Sequence, residues 1–302
     1  MKVSVLGSGS SGNAIYVEAG NTRVLVDAGF SARDLARRLA AIGCDPDQLD
    51  GIVITHDHGD HTRGMGVFAR RHGTPLHLTG PTRDATTKLL KGGEVIHEYR
   101  AAHAFAIGAL IVEPFITAHD AADPVGVALV DRETGCRLGV ATDLGRPTQG
   151  IRHALSDCHL LVLEANHDEV LLQQAPYPPV VKSRIASSHG HLSNHAAARF
   201  AVELLHDELC GIVLAHLSRE SNRPELAHAV VHESVRQAGF DGFLMVASQD
   251  EPGPLLDLSE LRARQAPAQL ALFGPSLQPH QAEQVVAQRP HHDAHQDQKA
   301  DV

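Results

Sequence analysis

One hexapeptide constrains the fold of this chain more than any other feature. His56-Asp57-His58-Gly59-Asp60-His61 follows the apolar run GIVIT (residues 51–55) without a spacer. A buried strand therefore runs straight into a loop in which five of six side chains can ligate a metal through imidazole or carboxylate. At a strand-to-loop transition the backbone is free to turn them all inward. His56 and His58 can share one ion while Asp60 and His61 reach a second, and imidazole with carboxylate suits Zn²⁺ or Mn²⁺. A histidine-rich surface loop would carry the same letters, but the other ligands a dinuclear site needs also occur. Asp27 closes RVLVD, His119 closes FITAH, Asp143 closes GVATD and His216 closes IVLAH. A lone strand-terminal His or Asp is usually a cap. Four of them beside HxHxDH place a site at one rim of a sheet sandwich.

The element pattern agrees. Residues 2–6, 14–18 and 23–27 read as short strands separated by glycine and asparagine turns. Ser31 is the expected N-cap of a helix over 32–42, closed by Gly43. Strands are expected at 51–55, 76–79, 107–116, 125–131, 137–141, 160–164, 212–215 and 243–246, and helices at 194–205 and 224–238. Strands followed by helices, twice over, predict two face-to-face sheets with helices outside, an α/β (α+β) sandwich. Residues 1–250 form the expected catalytic domain. Residues 251–302, rich in Pro, Gln, Ala and His, are expected to be a flexible, mostly disordered tail.

Composition narrows the function classes. The 302 residues hold 26 basic and 36 acidic side chains, a net charge of −10, which argues against a binder coating phosphate with a uniformly basic surface. The four cysteines form no CxxC pair, so neither a thiolate zinc knuckle nor a disulfide framework is expected. The first residues lack the length and cleavage site of a signal peptide, and no apolar run approaches the roughly 20 residues that span a bilayer. The expectation is a cytoplasmic protein with no membrane association.

With these residues in view, the sequence up to about residue 248 resembles the metallo-β-lactamase-fold hydrolase superfamily. The resemblance implies a four-layer αββα sandwich with two divalent ions. It implies that His56, His58 and His119 hold one ion and that Asp60, His61 and His216 hold the other. Asp143 would bridge them, and Asp27 would orient the histidine loop. Paired ions would clamp the attacking and leaving oxygens, with Asp60 counted among the catalytic residues. The segments LEANHD (163–168), GHLSNH (190–195) and AHLSRESN (215–222), with the opening GSGSSGN, resemble the WalJ/YycJ-type hydrolases and, more distantly, RNase Z.

That branch implies a DNA exonuclease, 5′ to 3′, in repair or replication. Two other enzyme classes stay open: a small-molecule ester, thioester or lactone hydrolase, and an RNA-processing nuclease. A phosphodiester expels a poor alkoxide, so an acid beside the metals is useful. His191 is the expected acid, with Glu164 holding its imidazole. Ser10, Ser11 and Asn13 in the first turn, and Arg219 after the last metal histidine, are candidate phosphate contacts, although a tight hairpin and a solvated helix start explain them equally. In the tail, Gln269-Leu270-Ala271-Leu272-Phe273 resembles the pentapeptide that docks bacterial proteins on the DNA polymerase sliding clamp. Gln269, Leu270, Leu272 and Phe273 would then bind that partner.

Overall fold

The computed structural model describes residues 1–265; the clamp-like segment at Gln269–Phe273 lies outside the described residues. Among the described residues fourteen strands form two seven-stranded sheets. The first has the order β14-β1-β2-β3-β4-β5-β6 and the second β13-β12-β11-β10-β9-β8-β7. The first comprises β1 (Lys2–Gly7), β2 (Ala14–Ala19), β3 (Thr22–Val26), β4 (Gly51–Val53), β5 (Leu76–Thr79), β6 (Ile96–Tyr99) and β14 (Leu256–Asp257). The second comprises β7 (Phe105–Ile107), β8 (Leu110–Ile116), β9 (Val125–Asp131), β10 (Arg137–Ala141), β11 (Leu160–Glu164), β12 (Gly211–Ala215) and β13 (Phe243–Val246).

The two sheets repeat one plan. An antiparallel meander (β1-β2-β3, and β7-β8-β9-β10) passes into parallel strands whose crossovers are helical. Alternation along each strand assigns its side chains to separate cores. Val3, Val17, Val24 and Val53 meet Val112, Val127, Val140 and Val213 between the sheets. Leu25, Ile52 and Leu76 pack outward on the helices Ala32–Ala41 and Met65–His72. Leu161, Leu163 and Leu214 pack outward on Asn194–Glu203 and Pro224–Gln237. Three apolar layers separating two sheets and two helical faces make the expected four-layer αββα sandwich.

Two expectations differ from what is observed. The segment read as one strand over 107–116 is a hairpin, because Gly108 takes φ 52° and turns β7 into β8. A side chain at that position would also overlap Thr22, whose hydroxyl accepts the Ala109 N–H at 2.8 Å. The chain also stays folded beyond residue 250. Val3 pairs with Leu256 and Lys2 with Asp257, so β14 covers the edge of β1, and the helix Leu258–Gln265 follows. Leu258 is fully buried in the inter-sheet core and donates its N–H to Met1 O at 3.0 Å. Among the described residues no helix is long and apolar enough to cross a membrane. All four cysteines are buried and unpaired.

Candidate metal centre

Strand ends build the site. Asp27 follows β3, His56 lies just beyond β4, His119 beyond β8, Asp143 beyond β10 and His216 directly after β12, while Glu164 is the last residue of β11. All converge on one rim of the sandwich. Asp27, Asp143 and His216 leave their strands with φ of 64°, 56° and 56°. This left-handed turn is costly for a residue with a side chain, and it survives where surrounding contacts over-determine it. Here it swings each side chain off its strand and toward the same cavity.

Of three groups of ligand atoms gathered here, each with its atoms within 4.8 Å of one another, two are His56, His58, His119 and Asp143, and Asp60, His61 and His216. Asp143 stands between them, with Oδ1 3.5 Å from His119 Nε2 and 3.6 Å from His216 Nε2, and Oδ2 3.0 Å from His61 Nε2. His56 Nε2 and Asp143 Oδ2 are buried without a hydrogen bond. Native interiors rarely tolerate such atoms, and a cation answers both. The donor set therefore fits the divalent metal ions that the fold implies.

Hydrogen bonds behind the candidate ligands fix which nitrogen His56, His61, His119 and His216 present. Asp27 accepts the Thr55 N–H at 2.9 Å, the Thr55 hydroxyl at 3.0 Å and His61 Nδ1 at 2.7 Å. Since the Thr55 hydroxyl proton goes to Asp27, its oxygen accepts from His56 Nδ1 at 2.9 Å. One carboxylate thus sets two tautomers and leaves both Nε2 atoms unprotonated, the form that ligates. His119 Nδ1 donates to Gly190 O at 3.1 Å, and His216 Nδ1 to Glu164 Oε1 at 2.9 Å. Asp57, the one acid in the hexapeptide outside the ligand groups, accepts the Ala122 N–H at 2.8 Å.

Glu164 is fully buried and saturated. Its Oε1 accepts His191 Nδ1 at 2.8 Å as well as His216, and its Oε2 accepts the N–H groups of Leu144 and Leu192 at 2.9 and 3.0 Å. Burial opposes its charge, but the two imidazoles and these bonds prevail and hold it at about 2. It is also near enough to join Asp143, His191 and His216 in a ligand group, yet with every oxygen engaged it serves as an anchor. His191 is held above its ordinary value, because the Glu164 carboxylate outweighs burial. Asp143 stays well below the usual carboxylate range against burial, through His216 and His61. Burial and the neighbouring His61 push His56 well down, into the neutral form that ligates.

A cavity of about 240 Å³ opens onto these groups, lined among others by Ser10, His58, Asp60, His119, Asp143, Arg184, His191 and His216. The candidate phosphate contacts divide. Ser10 lines the cavity. Ser11 gives its carbonyl to Arg63 at 2.8 Å. Asn13 is spent internally: its Oδ1 accepts from Ser8 and Gly9, and its Nδ2 lies 3.0 Å from His61 Nε2. Arg219 lies in a different cavity of about 460 Å³, paired with Gln249 and Asp250. Three residues escaped the sequence reading: Thr55, Ser8 (whose hydroxyl accepts the His216 N–H at 2.9 Å) and Arg184. Only Thr55 had a signal, its place immediately before His56.

Comparison with known proteins agrees with this fold. The family described as "Beta-lactamase superfamily domain" matches residues 22–212. The chain is 34% identical over 265 residues to a Streptococcus pneumoniae protein named exodeoxyribonuclease WalJ, covering 85% of this chain and 98% of that one. It is 33% identical over 239 residues to a Bacillus anthracis protein named exodeoxyribonuclease YycJ, covering 78% and 90%. Among solved structures it resembles the metallo-β-lactamase fold protein YhfI from Bacillus subtilis, with a TM-score of 0.63 at 17% identity over 83% and 98% of the chains; this likeness concerns the fold alone.

Proposed function

The chain belongs to the metallo-β-lactamase-fold superfamily of metal-dependent hydrolases, and from that membership we propose that it is a dinuclear phosphodiesterase that degrades DNA from an end, 5′ to 3′. The observation that carries this is His191 on the cavity wall, held from behind by the buried Glu164. His56, His58 and His119 would hold one ion, Asp60, His61 and His216 the other, with Asp143 between them; either Zn²⁺ or Mn²⁺ suits these donors. When bound, the ions supply Lewis acidity for the attacking water and the phosphoryl oxygens. His191 turns Nδ1 to Glu164, so Nε2 is its remaining nitrogen, and its side chain is 20% exposed where it lines the cavity. It protonates the leaving oxygen as the P–O bond breaks. Glu164 keeps the imidazole charged and aimed.

DNA rather than RNA is favoured by the names of the two relatives that align along most of this chain. A role in repair or replication, in the cytoplasm and tethered to the polymerase sliding clamp through Gln269–Phe273, belongs to the same proposal.

The test measures bound Zn, Mn and Fe and assays 5′- and 3′-labelled DNA and RNA, with Asp60→Asn as the inactive control. His191→Ala should slow DNA cleavage by about 10²–10⁴-fold while sparing a diester with a nitrophenolate leaving group. Equal slowing of both substrates removes the acid role. Metal-dependent turnover of thioesters and of no nucleic acid overturns the whole proposal.

A further inference from the structure

Among the described residues, Arg184 is the one Lys or Arg in the lining of the catalytic cavity. Of the other charged groups there, Asp60, Asp143, His58, His119 and His216 form the candidate ligand groups, His191 belongs to Glu164, and Asp120, besides pairing with Arg184, has Oδ1 3.6 Å from His119 Nε2. Arg184 Nε donates to Asp120 Oδ2, and this pair is open to water, the two side chains being 65% and 33% exposed. The guanidinium is loosely held but the backbone beneath it is not. Gly190 packs so closely that a Cβ there would overlap the carbonyls of Arg184 and Ile185. His191 N–H donates to Ile185 O at 2.9 Å. The position of Arg184 is therefore fixed relative to the proposed acid, while its fork is free to change partner.

We propose that Arg184 is the residue that grips a backbone phosphate of the substrate, exchanging Asp120 for phosphate oxygens as the strand enters the cavity. The proposal rests on the phosphodiesterase reading above. A guanidinium presents paired donors that match phosphate, and an exposed ion pair is weak enough to be displaced. A chain with net charge −10 has need of a local cation at the cleft. Asp120 then acts as an internal competitor that occupies the fork until a phosphate displaces it. The opposing view is that the pair straps the helix Pro179–Ile185, which has no buried residue, over the cavity.

The two views predict opposite signs for Asp120. The experiment measures binding of a phosphorothioate-linked single-stranded oligonucleotide to the full-length, metal-loaded protein from 50 to 200 mM KCl, with variants matched for metal content. Arg184→Ala should weaken binding about tenfold and lower the salt slope by about 0.7, the loss of one phosphate contact. It should raise KM for DNA about tenfold with kcat within threefold. Arg184→Lys should keep the slope and recover part of the affinity. Asp120→Asn should tighten binding several-fold, and this gain should vanish when Arg184→Ala is also present. The proposal is overturned if Asp120→Asn weakens binding, if its gain persists without Arg184, or if Arg184→Ala leaves affinity and slope unchanged. A wild-type protein that neither binds nor cleaves the oligonucleotide overturns the nuclease reading, and the role of Arg184 with it.

Discussion

At the scale of single residues, Glu164 organises more of the site than any candidate ligand does. Its two oxygens collect four donors: the Nδ1 atoms of His191 and His216 on one side, and the N–H groups of Leu144 and Leu192 on the other. Glu164→Gln keeps the shape but offers only one accepting oxygen. Whichever way the amide turns, its NH₂ faces two donors in a fully buried position. The variant should lose about 2–4 kcal/mol in chemical denaturation and about 10–100-fold in affinity for the ion that His216 is proposed to hold, read by metal competition. Wild-type values for both would mean that Glu164 is a bystander. The convergence of the strand-terminal candidate ligands on one rim was legible in the sequence because each closes an apolar run, a one-dimensional pattern. Arg184 and Ser8 were not. Their importance comes from what the fold brings beside them, and nothing in their flanking residues signals it.

At the scale of elements, strands with buried alternation were readable, and those defined by context were not. Phe243–Val246 and Leu76–Thr79 have the expected bounds because an apolar run ends with the first and Gly80-Pro81 closes the second. The helix Pro179–Ile185 buries no residue and so carries no periodic signal. The pair β14 and Leu258–Gln265 looked like tail because the segment is polar, yet a two-residue strand suffices once β1 offers an unpaired edge. Leu258 anchors it in the central core, and Arg262 reaches Glu208 at 2.8 Å. If the folded domain includes this segment, Leu258→Ala should cost about 2–4 kcal/mol, while Leu255→Ala, at a residue 40% exposed, should cost little. Equal, small effects in urea titrations would put the domain boundary back near residue 250.

At the scale of the whole molecule, the site lies where the two sheets meet, so its geometry depends on their staying together, and a titratable histidine helps to link them away from the candidate metal centre. His77 on β5 of the first sheet stacks on Phe105 of β7 in the second, with centroids 5.4 Å apart, and on His97 at 5.0 Å. It is buried, and burial, then the charge of His97, lowers it to about 4. In the unfolded chain a histidine titrates near 6.5. Between these values the unfolded state takes a proton that the folded state refuses. The contribution is therefore intact above about pH 6.5 and is lost as pH falls toward 4. Allowing for residual solvation, the loss amounts to about 1–2 kcal/mol by pH 4.5. His77→Phe keeps the stack and removes the proton acceptor. Its stability relative to wild type should rise by that amount between pH 7 and 4.5, measured by urea denaturation of the metal-loaded proteins. Parallel pH profiles would show that His77 is solvated well enough to charge in place, and that acid weakens the sandwich through other groups.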